Sequence, residues 1–276
     1  MTELREVQVT AKVIKNGSLR RSTTSITADD LLSKGAVTLP DSLQREPGVS
    51  VPLDVAGIDS LVPYLEGGNN SINIRGLEGN RVQVLVDGIA QPDDFVVRSF
   101  QGSGGPGRIY FDPAVFSSLD LLRTASPGSG SLAGTVAGQT ESPFTLLGDS
   151  LIGEAFSSAS TYSSNNRSWN ERLVGAWGNG DLASSIVYSY RQGHELENNS
   201  GLPANPTDAE SHAAVWKTVI RNGGLTLVPT VDFFRSIAFT DLDSIETESL
   251  IGRTINASSD STVSYTHLTL PTNCVV

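Results

Sequence analysis

The chain has 276 residues, with 19 Lys and Arg against 30 Asp and Glu, a net charge of −11. That balance argues against a nucleic-acid binder, which needs a basic face to displace counterions from phosphate. With 38% hydrophobic residues and a single Cys, the sequence has no 18-residue apolar run for a membrane helix, no disulfide framework and no cysteine metal site. A membrane β-barrel stays open, because its alternating strands scarcely raise mean hydropathy.

In chain order, Met1-Thr2-Glu3-Leu4 shows neither a basic n-region nor an apolar h-region, so a signal peptide is expected to be missing from this fragment. Glu6-Val7-Gln8-Val9-Thr10-Ala11 alternates polar with small apolar residues and favours an extended segment. Thr27-Ala28-Asp29-Asp30 has capping-box spacing before Leu31-Leu32, and Gly35 supplies a stop. Thr38-Leu39-Pro40-Asp41 repeats that start, and Pro47-Gly48 ends the second short helix. Ile72 to Gly76 alternates as a short strand, and Val82 to Val86 as another, stopped by the turn pair Asp87-Gly88. Asp112-Pro113 opens a helical turn and Leu119 to Arg123 reads as strand. Two Gly-rich stretches, Gly102 to Gly107 and Gly128 to Gly138, read as long loops.

Composition changes near residue 145. Residues 1–145 carry 12 basic and 16 acidic side chains, 12 − 16 = −4, and residues 146–276 carry 7 and 14, 7 − 14 = −7; all three Trp lie in the second part. There the period becomes two. Trp169, Leu173 and Trp177 share one parity, as do Leu182, Ile186, Tyr188 and Tyr190, with Ala183, Ser185, Ser189 and Arg191 on the other. Trp216, Thr218 and Ile220 oppose Lys217 and Arg221; Phe233, Ile237 and Phe239 make a fourth segment, and Ile251 and Ile255 start a fifth. Segments of about 10 residues with aromatics near their ends suit the lipid-facing wall of a barrel. A soluble β-sandwich alternates likewise, and periodicity alone leaves both open.

The first part resembles the plug domain of TonB-dependent outer-membrane receptors, from about Glu6 to Pro143. Glu6 to Ala11 resembles the TonB box. Leu39 to Val51 resembles the plug helix that runs into a Pro-Gly-Val strand. Ile72-Asn73-Ile74-Arg75-Gly76-Leu77-Glu78-Gly79-Asn80-Arg81-Val82, followed by Leu85-Val86-Asp87-Gly88, resembles the family's Ile-Arg-Gly and Val-Asp-Gly core. Asp120 stands where the family usually has Glu, and Thr124-Ala125 replaces its Gly-Pro. Within the family, Arg75 to Arg81 with Leu85 to Pro92 is most similar to haem and haemoprotein receptors. From Val263 the sequence Val-Ser-Tyr-Thr-His-Leu-Thr-Leu-Pro-Thr resembles translated sequencing-adapter read-through.

The resemblance implies an α+β plug domain followed by the first strands of a truncated transmembrane antiparallel β-barrel. The expected division is a TonB-box-like segment at 1–15, plug at 16–145, barrel strands at 146–262 and an artefactual tail at 263–276. It implies a receptor for active uptake of a scarce nutrient, an iron compound such as haem or haemoprotein-derived haem, with a siderophore or other nutrient as the alternative. The implied partners are the periplasmic energy-coupling protein TonB, which would pair with Glu6, Val7, Gln8, Val9, Thr10 and Ala11 by strand addition, outer-membrane lipid, and an extracellular iron-containing ligand. Arg75, Gly76, Asp87 and Gly88 are implied as structural plug positions, with Arg75 pairing to barrel carboxylates. No catalytic residue, metal ligand or cofactor is implied. His194 and His212 read as solvated loop histidines. An enzyme is disfavoured: there is no Gly-x-Ser-x-Gly elbow, and the Gly102 to Gly107 loop lacks the Gly-Lys-Ser/Thr ending of a P-loop. A surface β-rich adhesin would explain the second half but not the ordered plug pieces.

Overall fold

A computed structural model describes residues 23–33, 39–43, 45–51, 72–91, 111–125, 131–164, 166–195, 206–222, 224–242 and 253–269. The TonB-box-like segment, Gly35 and the Gly102 to Gly107 stretch lie outside these residues. No helix among the described residues is long and apolar enough to cross a membrane.

The first part opens with β1 (Thr23–Thr27) and α1 (Ala28–Ser33). The expected capping box is present: Thr27 Oγ1 accepts from Asp30 N at 3.2 Å and Asp30 Oδ2 accepts from Thr27 N at 3.0 Å. Next come α2 (Leu39–Leu43), β2 (Val49–Ser50), β3 (Asn73–Ile74), β4 (Val82–Val86), β5 (Ile89–Ala90), β6 (Phe116–Leu122) and β7 (Gly134–Thr140). The main sheet runs β1-β6-β7-β4-β5, with only the β4–β7 pair parallel. On β4, Val82, Val84 and Val86 are buried while Gln83 and Leu85 are half-buried, the period-2 alternation its sequence carries. On β6, Phe116, Leu119 and Leu121 are buried; a register shift between Phe116 and Ser118 absorbs the odd spacing.

Two readings of this half are corrected. The strand expected over Ile72 to Gly76 stops at Ile74. Arg75 (φ 53°) and Gly76 (φ 85°) form a tight turn that brings Leu77 back onto Ile74, with Asn73 Oδ1 accepting from Gly76 N at 2.9 Å. The Gly128 to Gly138 loop instead contains β7, a central strand. Its glycines permit close packing. A Cβ on Gly134 (φ 156°) would stand 2.2 Å from Leu122 O, and one on Gly138 would stand 2.4 Å from the Phe116 ring.

The second part starts with α3 (Pro143–Leu147), which the sequence reading missed although Ser142 and Thr145 cap it reciprocally. Six strands follow in a simple antiparallel meander: β8 (Ile152–Ser163), β9 (Ser168–Asn179), β10 (Leu182–His194), β11 (Thr207–Asn222), β12 (Leu225–Leu242) and β13 (Arg253–Thr269). β8 was not foreseen, and β13 continues past residue 263, pairing with β12 out to Thr269. The β9–β10 and β11–β12 connections are short, and Asn179 Oδ1 accepts from Asp181 N and Leu182 N to close the first. The β10–β11 connection at the other end is longer, the asymmetry of outer-membrane barrels, whose periplasmic turns are short.

The wall's two faces follow the expected parity. Trp169, Leu173, Trp177, Ile186, Trp216, Ile220, Phe233 and Phe239 are exposed on one side. Val174, Val187, Ala213, Val215 and Phe234 on the other join the core of the first domain. Below them, Leu151, Ala183 and Val219 pack with Phe144 and Leu147. The wall therefore curves around the small domain and shares its core, leaving its own opposite face apolar and bare. Large exposed apolar side chains alternate with buried ones along the described strands, the pattern of a lipid-facing barrel wall.

Candidate functional site: the seam between domain and wall

Three acids of the small domain meet three bases of the wall. Asp87 closes the β4–β5 turn, Glu141 follows β7, and Asp112 precedes β6. β4 and β7 are parallel and β6 is antiparallel to β7, so the topology gathers all three acids at one end of the sheet. The bases Arg172, Arg191 and Lys217 occupy inward positions on β9, β10 and β11.

Asp112 and Arg191 form the most buried pair. Arg191 Nε donates to Asp112 Oδ2 at 2.8 Å, with side-chain exposures of 3% and 0%. Ser189 Oγ donates to the same oxygen at 3.1 Å. Asp112 Oδ1 accepts from Ala114 N at 2.8 Å and so caps the 3-10 turn Pro113–Val115, as Asp before Pro predicts. Arg172 spans two elements: Nη2 meets Glu141 Oε1 at 2.8 Å and Nε donates to Ala114 O at 2.6 Å. Thr145 Oγ1 donates to the other oxygen of Glu141 at 2.8 Å. Lys217 Nζ lies 2.9 Å from Asp87 Oδ2 and donates to Thr140 O at 3.2 Å. Asp87 in turn accepts from Thr140 N at 2.9 Å and Thr140 Oγ1 at 2.7 Å.

Each ion is thus paired and also hydrogen-bonded, the condition under which buried charge is tolerated. Two buried polar atoms flank Arg191 without a protein partner, Asn170 Nδ2 and Ser211 Oγ, and the register places both residues directly beside it. Such orphans are where ordered water sits.

Of the expected structural positions, Asp87-Gly88 makes the anticipated turn, with φ of 50° and 80°. Asp87 does more than turn the chain, since it ties β4 to β7 and to the wall. Arg75 and Gly76 make the turn after β3, where Arg75 N donates to Gly48 O at 2.8 Å. The Arg75 side chain is exposed and joins no ion pair among the described residues. The described pairs across the seam have the opposite polarity, with acids on the domain and bases on the wall. Sequence reasoning missed Asp112, Glu141, Arg172, Arg191 and Lys217 as a group. The available signal was the inward parity of Arg172, Arg191 and Lys217, cations set among small residues such as Ala, Val and Ser. Arg123, inside the domain, pairs with Glu46 and donates to Thr24 Oγ1 at 2.9 Å, holding β1 and the turn after α2 together. His212 is not a loop residue: it stands on β11, with Tyr188 OH 2.8 Å from its Nδ1. His194 ends β10 against Asp208 at 2.7 Å. No group of three or more His, Cys, Asp and Glu placed to hold a metal occurs among the described residues.

A small sheet domain tied by buried acid–base pairs into a curved wall with a lipid-compatible outer face defines a class: a plugged barrel. The TonB-dependent receptor plug domain family matches residues 15–135. The chain is 26% identical over 214 residues to transferrin-binding protein A of Haemophilus influenzae, covering 71% of this chain and 22% of that protein. It is 32% identical over 126 residues to the heme/hemopexin utilization protein C of the same species, covering 43% and 14%. In fold it resembles the FrpB iron transporter of Neisseria meningitidis, with a TM-score of 0.69, 16% identity, and coverage of 90% of this chain and 37% of that one. Residues 15–135 thus match the plug domain of TonB-dependent receptors, and with the antiparallel strands that follow the chain has the fold of such a receptor's plug and part of its barrel. It spans about a fifth of the length of the curated relatives it matches.

Proposed function

We propose that the chain is part of an outer-membrane receptor that takes up an iron compound, foremost haem or iron presented by a protein, with energy delivered by TonB. The observation that carries the reading is the seam. Three buried ion pairs, each ion also hydrogen-bonded, close the seam, so the plug is held by polar contacts that water can replace when it is displaced. Beyond the pairs, the wall adds Val174, Val187, Ala213, Val215 and Phe234 to the shared apolar core.

TonB would engage Glu6, Val7, Gln8, Val9, Thr10 and Ala11, which precede the matched plug region. Extended peptide adds to a sheet edge through main-chain bonds, so Val7 and Val9 suit this role as strand formers. The substrate class is supported by the names of the relatives, which bind transferrin or lactoferrin or use heme and hemopexin. The Arg75 to Pro92 resemblance favours haem among them. The outer-membrane assignment is supported by the bare apolar face and by fold relatives such as the ferripyoverdine receptor of the outer membrane of Pseudomonas aeruginosa, TM-score 0.55.

The test is growth of a Gram-negative host that lacks its own iron receptors, expressing the receptor that carries this chain. Haem, haemoglobin, iron-loaded transferrin and a ferric siderophore are supplied separately as sole iron source. Growth on haem or haemoglobin, abolished by deleting TonB, is the expected result. Growth only on the siderophore would overturn the substrate assignment, and growth independent of TonB would overturn the mechanism.

A further inference from the structure

One feature of the outer face is more than a generic lipid-facing wall. The register aligns Phe156, Gly175, Ile186 and Trp216 in one outward row across β8 to β11. Three of these are large and exposed, Phe156 at 77%, Ile186 at 56% and Trp216 at 54%, and Gly175 between them leaves a gap. Trp177, two residues along β9, closes the gap toward the short-turn end. The result is an open groove of about 660 Å³ on the outer face. A glycine inside a strand often marks a close approach by another molecule. Here nothing crowds it: the one atom a Cβ on Gly175 would meet is Ile186 Cγ2 at 3.7 Å. The Trp216 indole N–H is already spent on Ser184 Oγ at 2.8 Å, so this ring presents its apolar faces.

The polar edge of the groove is Glu154, directly across from Trp177. It is exposed and has no hydrogen bond or ion pair among the described residues. Glu171, the other outward acid of these two strands, differs. Its oxygens accept from Ser160 Oγ at 2.9 Å and Trp169 Nε1 at 3.0 Å. The wall thus satisfies the carboxylate far from the groove and leaves the one beside it open. Glu154 also lies in the half nearest the short turns, the side of the periplasmic leaflet in barrels of this kind.

We propose that the groove seats one acyl chain of a zwitterionic phospholipid, with the chain over Gly175 between Phe156, Ile186 and Trp216 and the headgroup ammonium on Glu154. The lining matches a hydrocarbon chain, the groove is continuous with the lipid-facing wall, and the carboxylate matches an amine while repelling a purely anionic headgroup. This rests on the membrane reading above.

The test is native mass spectrometry of the receptor carrying this chain. It is extracted from outer membranes, stripped of lipid and offered phosphatidylethanolamine or phosphatidylglycerol in equal amounts. The wild type should retain one phosphatidylethanolamine per receptor. Gly175→Phe, which fills the gap on an exposed face, should lower retention of both lipids by on the order of tenfold, equivalent to losing about two buried methylenes. Glu154→Gln should still hold a lipid but lose the preference for the amine headgroup. Equal retention by wild type and Gly175→Phe, or an unchanged preference in Glu154→Gln, overturns the site. A receptor absent from the outer-membrane fraction overturns the membrane reading itself, which fractionation reports before any lipid is added.

Discussion

Arg191→Met removes the cation from the most buried pair in the seam. Asp112, fully buried, would keep Ala114 N and the Ser189 hydroxyl but lose its counter-ion. Breaking a buried pair from one side costs about 3–5 kcal/mol, because the remaining charge stays desolvated. The two surviving hydrogen bonds place this case at the low end, about 3 kcal/mol, or on the order of a hundredfold in the opening equilibrium. Hydrogen exchange read by mass spectrometry on residues 116–122 and 134–140 of the receptor reports that opening, since β6 and β7 lie directly behind the pair. Exchange there should accelerate by about that factor. Removing both charges should restore most of the protection, and Asp112→Ser keeps an N-cap for the Pro113–Val115 turn. Wild-type exchange in Arg191→Met, or equal lability in Asp112→Ser/Arg191→Met and the single variant, would refute the seam as the plug's anchor.

Three further outcomes follow from other parts of the structure. Gly134→Ala should destabilise the plug more than Gly138→Ala, which itself should cost about 1–3 kcal/mol; the first meets fixed backbone at 2.2 Å and the second a ring that can shift, and urea unfolding of the receptor's plug compares them. Asp87→Asn should release the wall from the β4–β5 turn while keeping the turn itself, because Oδ1 still accepts from Thr140 N whereas the group that replaces Oδ2 can no longer accept from Lys217 Nζ; hydrogen-exchange protection should fall around Lys217 with little change at Ala90. Ile186→Arg, on the outward face near the middle of β10, should lower assembly into the outer membrane by about 2–4 kcal/mol, against roughly nothing for Ile186→Val, as read by folding into lipid vesicles.

Much of the wall was legible because its period-2 pattern is carried by large side chains. Trp169, Leu173, Trp177, Ile186, Trp216 and Phe233 announce the outward parity themselves. β8 was not legible, since Ser158 and Ser160 fill outward positions that apolar residues hold elsewhere, and its alternation is mostly small against small. β7 was hidden by Gly134 and Gly138, which read as loop but serve steric fit. Arg75 looked like a strand residue because alternation does not reveal a positive φ. The seam divided unevenly. Its bases carried a signal in their inward parity, whereas Asp87, Asp112 and Glu141 sit in turns, where an acid normally faces water. Only the topology, with β4 and β7 parallel, brings those turns to the same end.

The coupling segment can be tested against everything else in one strain. Val9→Pro removes a main-chain donor from the centre of Glu6 to Ala11 and cannot be accommodated in an interior paired strand. Val9→Ala keeps the main-chain bonds and should be mild. In the receptor that carries this chain, uptake of labelled haem and binding of haem to whole cells are measured together. Val9→Pro should abolish uptake and leave binding at the wild-type level. Normal uptake in that variant, or loss of binding along with uptake, would contradict a plug displaced by TonB through its N-terminal segment.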